Sequence, residues 1–230
     1  MGQIRLGGTG DLVVEMRRSS RARRISLRVS TLDGRVTLTV PRHVDAEVAR
    51  AFAEEKTAWI RKALEKQAPV VPVVIGASVP VEGRMVPVLA GRGRRARLTD
   101  QGLEAPSGRE GPAVQAFLKA LARERLVAAS EKYARALGRD FGKITLRDTR
   151  SRWGSCSEAG NLMYSWRLIL APPEVLDYVA AHEVAHLAHM DHSKAFWAVV
   201  ETLCPGYSEP RLWLRRDGAG LHGYRFSSND

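Results

Sequence analysis

The chain has 230 residues, 44% of them hydrophobic and 27% charged, with a formal net charge of +11. That is enough apolar content to bury a substantial core, so a disordered tail is excluded. No apolar run approaches the roughly 20 residues of a bilayer span, and the opening Met1–Met16 stretch lacks the charged head and apolar run of a secretory signal. A soluble cytoplasmic protein with no membrane partner is therefore expected. Two cysteines, Cys156 and Cys204, are too few for a disulfide framework or a four-cysteine zinc site. A bound metal must then rely on other donors.

The positive charge is uneven. Residues 1–105 hold 19 Lys and Arg against 11 Asp and Glu, a net of +8, while residues 106–230 hold 17 against 14, a net of +3. The basic half favours anionic partners, and weak contact with nucleic acid through it is an expectation of the composition.

From the N-terminus, Arg23 to Val40 alternates apolar and polar residues around Asp33-Gly34, the pattern of a hairpin with one buried face. From Asp45 to Lys66 the spacing of Val48, Phe52, Trp59, Ile60, Ala63 and Leu64 predicts a helix that Pro69 ends. Short apolar runs at Val70–Ile75, Val79–Val81, Met85–Leu89 and Ala96–Leu98 read as small antiparallel strands. The turn-rich stretch Ala105–Pro112 marks the expected boundary between a basic β-rich region, residues 1–105, and a second domain, residues 112–230.

Beyond it, Val114, Phe117, Leu118, Leu121, Tyr133 and Leu137 mark a long amphipathic helix stopping near Gly138. Two strands are expected at Lys143–Arg147 and Leu162–Ala171. Pro172 and Pro173 then open a helix running to about Met190, and Ser193 caps another reaching Leu203. The expected class is α+β: a small β-rich N-terminal region with one helix, then a zincin-like domain whose HExxH helix packs on a short antiparallel sheet.

The helix expected from Pro173 carries His182-Glu183-Val184-Ala185-His186. Residues four apart lie one turn apart on the same face, so two imidazoles can converge on one ion at Zn–N distances of about 2.0–2.1 Å. Glu183 sits about 100° round the helix from His182, which sets its carboxylate beside the ion, ready to take a proton from water. A catalytic zinc requires a third protein ligand. His189 continues the same rod, where three donors in line surround an ion poorly, whereas His192 lies past the expected helix end and can approach from another side. His192 is the better placed, and His189 is left to line the pocket.

These features have a known counterpart. Arg150-Ser151-Arg152-Trp153-Gly154-Ser155-Cys156, the strand ending Leu168-Ile169-Leu170-Ala171-Pro172, the His182–Leu187 segment and His192-Ser193-Lys194-Ala195-Phe196-Trp197 together resemble the YgjP-like metal-dependent hydrolases, relatives of the SprT-like zinc metallopeptidases. The resemblance implies zinc ligands at His182, His186 and His192 and a general base at Glu183. It also implies one zinc ion, or another divalent metal, and a peptide or protein substrate cleaved by metal-activated water.

A nucleotide is the alternative substrate. Arg150, Arg152, Trp153 and Arg167 are on the bland reading a solvated or acid-paired group around a core tryptophan. If they face the ion they form an anion clamp. Hydrolysis of a nucleoside triphosphate to a monophosphate and pyrophosphate, for example UTP to UMP, is also implied by the resemblance. Tyr164 is a candidate to hydrogen-bond an oxyanion, as are His222 and Tyr224, each more commonly structural. A third reading, a nucleic-acid-binding module with a structural metal, rests on the basic half alone. For a peptide substrate, Asn161–Leu170 is the strand expected at the sheet edge, able to pair with an extended backbone.

Overall fold

The computed structural model describes residues 2–6, 12–30, 34–65 and 69–227. The chain divides into two compact units, Met1–Pro69 and Val70–Asp230.

The first unit contains β1 (Gly2–Leu6), β2 (Leu12–Ser19), β3 (Ser26–Val29), β4 (Val36–Pro41), α1 (Ala46–Glu55) and α2 (Thr57–Leu64). Its sheet has the order β1-β2-β4-β3, with β2 parallel to β4 and the other pairs antiparallel. The expected hairpin forms as β3–β4, pairing Leu27 with Leu38 and Val29 with Val36. Of its turn, Asp33 lies outside the described residues, while Gly34 takes a φ of 68° and donates its N–H to the Ser30 carbonyl.

Alternation places Leu6, Leu12, Val14, Val36, Leu38 and Val40 on one face, where they share a core with Ala49, Ala53 and Ile60 of the helices. The single helix expected over 45–66 is interrupted at Lys56, whose backbone (φ −89°, ψ 6°) leaves the helical region. The small residues Ala49 and Ala53 face the sheet, while Val48 and Trp59 of the expected stripe are exposed.

The second unit begins with β5 (Val71–Pro72), β6 (Ser78–Val81), β7 (Arg84–Gly91), β8 (Arg97–Thr99) and β9 (Gly102–Pro106), followed by α3 (Glu110–Leu137). Strand β9 occupies part of the stretch read as a boundary, pairing parallel with β7 and antiparallel with β8. The division therefore falls at Pro69–Val70 and not at residues 106–111. The physical reason is packing: Val79, Val81, Val88, Leu103 and Ala105 belong to the same core as Val114, Leu118 and Ala122 of α3. Helix α3 stops at Gly138, which takes the left-handed conformation (φ 66°, ψ 35°).

The remainder runs through β10 (Ile144–Arg147), β11 (Gly154–Cys156), β12 (Leu162–Ser165), a 3-10 turn (Trp166–Leu170), α4 (Pro173–Ala185), α5 (Lys194–Leu203), α6 (Ser208–Arg216), a second 3-10 turn (Gly218–His222) and β13 (Tyr224–Arg225). Strand β13 returns to pair with β5. The fold class is α+β, as expected, but the sheet beside α4 is mixed and not antiparallel. Its order is β10-β12-β11, with β10 parallel and β11 antiparallel to β12.

Strand β12 is therefore internal and not the sheet edge proposed for substrate pairing. The expected strand Leu162–Ala171 also stops at Ser165, where the chain winds into the 3-10 turn that buries Trp166, Leu168, Ile169 and Leu170. Among the described residues, no helix is long and apolar enough to cross a membrane.

Candidate metal centre

Pro173 occupies the first turn of α4, where its missing N–H would have no partner anyway. The helix is apolar on most sides because it packs against α3, α5, α6, the first 3-10 turn and β11, burying Val175, Leu176, Val179, Ala180, Val184 and Ala185. It ends at Ala185, earlier than expected. His186 is its C-cap, and the N–H groups of Leu187 and Ala188 return to the carbonyls of Val184 and Ala185 in a tightened last turn.

The early end has two consequences for the site. It turns the His189 carbonyl back to lie 2.9 Å from His186 Nδ1, which fixes the ring and leaves Nε2 as its free donor atom. It also brings the chain round so that His192, just before α5, faces the helix. His189 thus contributes a backbone oxygen, while the side chains of His182, His186 and His192 gather with one donor atom of each within 4.8 Å of the others.

His182 Nε2 and His192 Nε2 are 3.2 Å apart. Two nitrogens at about 2.0–2.1 Å from one tetrahedral ion would lie about 3.4 Å from each other, so this pair already has nearly the required spacing. One side chain holds all three rings: the fully buried Phe196 of α5 has its ring centroid 4.9, 4.5 and 4.9 Å from those of His182, His186 and His192. Met190, the expected helix end, is exposed.

Burial, followed by the neighbouring His186, His192 and Arg211, pushes His182 down to about 3, and burial likewise lowers His186. Both rings stay neutral, as metal ligation requires. The donor set therefore fits a divalent ion.

Glu183 is 5% exposed. Burial pushes its carboxyl up to about 8, while the charge of Arg152 and a hydrogen bond from the Cys156 backbone N–H pull the other way. The carboxylate lies against the bare backbone of β11. A Cβ added at Gly154 would fall 2.5 Å from Glu183 Oε1 and 2.6 Å from Cγ, so a side chain there would occupy the space the carboxylate fills. Gly154 and Ser155 belong to β11, an edge strand of this sheet.

The other candidate residues separate into two groups. Arg150 and Arg152 are exposed, and Arg152 is near enough for its charge to act on Glu183. Arg167, Trp153 and Tyr164 are built into the structure. Arg167 is 3% exposed, pairs through both Nε and Nη2 with Asp148 at 2.7 and 3.1 Å, and donates to the carbonyls of Leu221 and Tyr224. Burial alone would raise Asp148, but the hydrogen bond and charge of Arg167 outweigh it and hold that carboxyl below its ordinary value. Trp153 packs against His222 at 5.2 Å. Tyr164 is fully buried, its hydroxyl 3.0 Å from Ser130 Oγ. Of the further oxyanion candidates, Tyr224 directs its hydroxyl toward Met85 Sδ at 3.9 Å and His222 is buried beside Trp153.

Comparison with known proteins places this geometry in a family. The model of the YgjP-like, metallopeptidase domain family matches residues 23–217. None of the curated proteins matches. Among solved structures, the metallopeptidase zymogen of Pyrococcus abyssi abylysin is similar at 24% identity and a TM-score of 0.36, over 39% of this chain and 93% of that one. With a three-imidazole cluster able to bind a divalent metal and a family match over most of its length, the chain is a metallohydrolase and belongs to the YgjP-like metallopeptidase-domain family.

Proposed function

We propose that the protein is a zinc-dependent peptidase in which His182, His186 and His192 hold the ion and Glu183 transfers the protons. Three neutral imidazoles are the donor set of a hydrolytic zinc that keeps a further coordination position open. When bound, such an ion supplies Lewis acidity that polarises a carbonyl oxygen and acidifies water. The rest of the chemistry falls to the chain's own residues. The Glu183 carboxylate takes a proton from the attacking water and returns it to the leaving nitrogen. Its buried position raises its affinity for that proton, and a cation among the imidazoles opposes the shift, which brings the group toward the neutral range where both transfers run.

The observation that carries this reading is the placement of Glu183: a buried carboxylate that follows His182 on the helix carrying two of the three convergent imidazoles and lies against the bare backbone of an edge strand. We propose that β11, which pairs with β12 on one side, offers its other side to an extended peptide, so that the scissile bond passes beside Glu183. The nucleotide alternative is less well supported, because Arg167 is occupied by Asp148 and only Arg150 and Arg152 of the suggested clamp are exposed. Two free cysteines accord with a reducing, cytoplasmic setting.

The test is Glu183→Gln in metal-loaded protein, assayed against a peptide library and a nucleotide panel. The substitution is expected to leave metal content unchanged and to lower peptide turnover by about 10²–10⁴-fold. Undiminished turnover removes Glu183 from the mechanism, and turnover of nucleotides with none of peptides replaces the peptidase by the pyrophosphohydrolase.

A further inference from the structure

The first unit carries a surface that the hydrolytic reading does not use. Residues 17–30 contain six arginines and no acidic residue. Strand register shows where they go. Arg17 pairs with Thr39, which pairs on its other side with Ser26, and Glu15 pairs with Thr37, which pairs with Arg28. Both rows lie on the sheet face opposite the buried Val14, Leu38 and Val40, away from the helices.

Arg17, Ser26 and Arg28 are exposed and the two threonines half-buried. The connection from β2 to β3 crosses the end of the sheet where Arg17 lies and adds the exposed Arg21, Arg23 and Arg24. Arg42, also exposed, follows Pro41 at that end, since Pro41 pairs with Ser19. Arg18, of opposite parity, is not part of the patch and braces the loop by donating to the carbonyls of Arg42 and Val44 at 3.1 and 2.8 Å. In these two rows the one acid is Glu15, which lies 3.9 Å from Arg35.

We infer that this open sheet face and its arginine-lined end bind a nucleic-acid duplex through its phosphates. Two guanidinium groups on the face, with Thr and Ser hydroxyls beside them, and four more exposed arginines along its end suit a row of phosphate oxygens, which arginine contacts in bidentate fashion. Binding of single strands calls for aromatic platforms on which bases stack. The unit's two aromatic residues, Phe52 and Trp59, are on α1 and α2 and not on this face. An anionic membrane would call for aromatic or long aliphatic side chains to enter the headgroup layer, and among the described residues Val13 is the exposed large aliphatic one on the face. Because the contacts are to phosphate, DNA and RNA duplexes are expected to bind alike, within about threefold.

The experiment is fluorescence anisotropy of the full-length protein with a labelled 24-base-pair duplex across a salt series. Four to six phosphate contacts predict a slope of about −4 to −5 in log K against log salt, a loss of about 10²–10³-fold in affinity between 50 and 200 mM. Arg17→Gln/Arg28→Gln is expected to lower affinity at least tenfold and make the slope shallower by about 2, and Arg21→Gln/Arg23→Gln/Arg24→Gln to do the same by about 3. All five positions are exposed, so an unchanged melting temperature serves as the folding control. A second arginine cluster, Arg94 and Arg95 beside a cleft of about 840 Å³ in the other unit, is the comparison, and Arg94→Gln/Arg95→Gln should leave binding intact. The inference is overturned by tighter binding of single strands, by binding of phosphatidylserine vesicles without binding of duplex, or by loss of binding in the Arg94/Arg95 variant alone. Peptide turnover enters none of these readouts, so they are independent of the peptidase reading.

Discussion

Gly154→Ala tests the contact between the edge strand and Glu183 with the addition of a single methyl group. The added Cβ would lie 2.5 Å from Glu183 Oε1 and 2.7 Å from Cδ, about 0.9 Å short of ordinary contact with that oxygen. The neighbour is the carboxylate itself, on a helix whose other faces are packed, so accommodation must come from a shift of that group or of β11 by nearly 1 Å. A displacement of this size at a reacting group lowers turnover by about 10²-fold, equivalent to about 2.7 kcal/mol of barrier. Overpacking costs a further 1–3 kcal/mol of stability, roughly a 2–10 °C fall in melting temperature for a unit of this length.

None of the three histidines is touched, so metal content should equal that of the parent. The assay is kcat for peptide hydrolysis with metal stoichiometry and thermal unfolding measured on the same preparation. Parental kcat at full metal content would refute the reasoning, because it would mean that the carboxylate can move by an ångström without consequence. Loss of metal together with activity would show that β11 supports the histidines and not Glu183.

Exchange of the two histidines that follow α4 separates side chain from backbone. His192→Ala should reduce bound zinc at least tenfold, whereas His189→Ala, which keeps the carbonyl facing His186 Nδ1, should leave it near stoichiometric; metal analysis after dialysis reads both. Arg167→Met removes the partner of Asp148 and leaves two carbonyls without their donor, so unfolding free energy should fall by about 3 kcal/mol in urea titrations, with kcat of the folded fraction unchanged. If Arg167 instead touches substrate, KM rises.

His222 gives a pH signature. Burial, then the charge of Arg167, pushes it down to about 4, with Asp148 opposing. Between pH 6.5 and 4 the unfolded chain therefore binds a proton that the folded one does not. The stability held above pH 6.5 is lost as pH falls through that window, by roughly 3 kcal/mol. His222→Gln should flatten this dependence, and a parallel pH profile for parent and variant would refute it.

Much of the site was legible before the fold. The i, i+4 spacing of His182 and His186 is a property of any helix, and Pro173 marks the start of this one. The preference for His192 over His189 followed from the need for a ligand off the helix axis. Local periodicity likewise foretold the β3–β4 hairpin and α3 with its Gly138 stop, because hydrogen bonding and apolar alternation act over a few residues. In the helical segment 45–66 the pattern located Phe52, Ile60 and Leu64 on the core side, but the small Ala49 and Ala53, not Val48 and Trp59, complete that face, because close packing on the sheet selects small side chains there.

What sequence could not reach was decided by contacts between residues far apart along the chain. Strand order made β12 internal and β11 the edge, a choice set by which strands meet and not by their own composition. The pairing of Arg167 with Asp148 and with the carbonyls of Leu221 and Tyr224 drew a candidate substrate ligand into the interior. The approach of Gly154 to Glu183, 29 positions apart, needed α4 laid across the sheet before the absence of a side chain acquired a purpose. The chain's local chemistry named the donors, and long-range packing decided which of them face a common point.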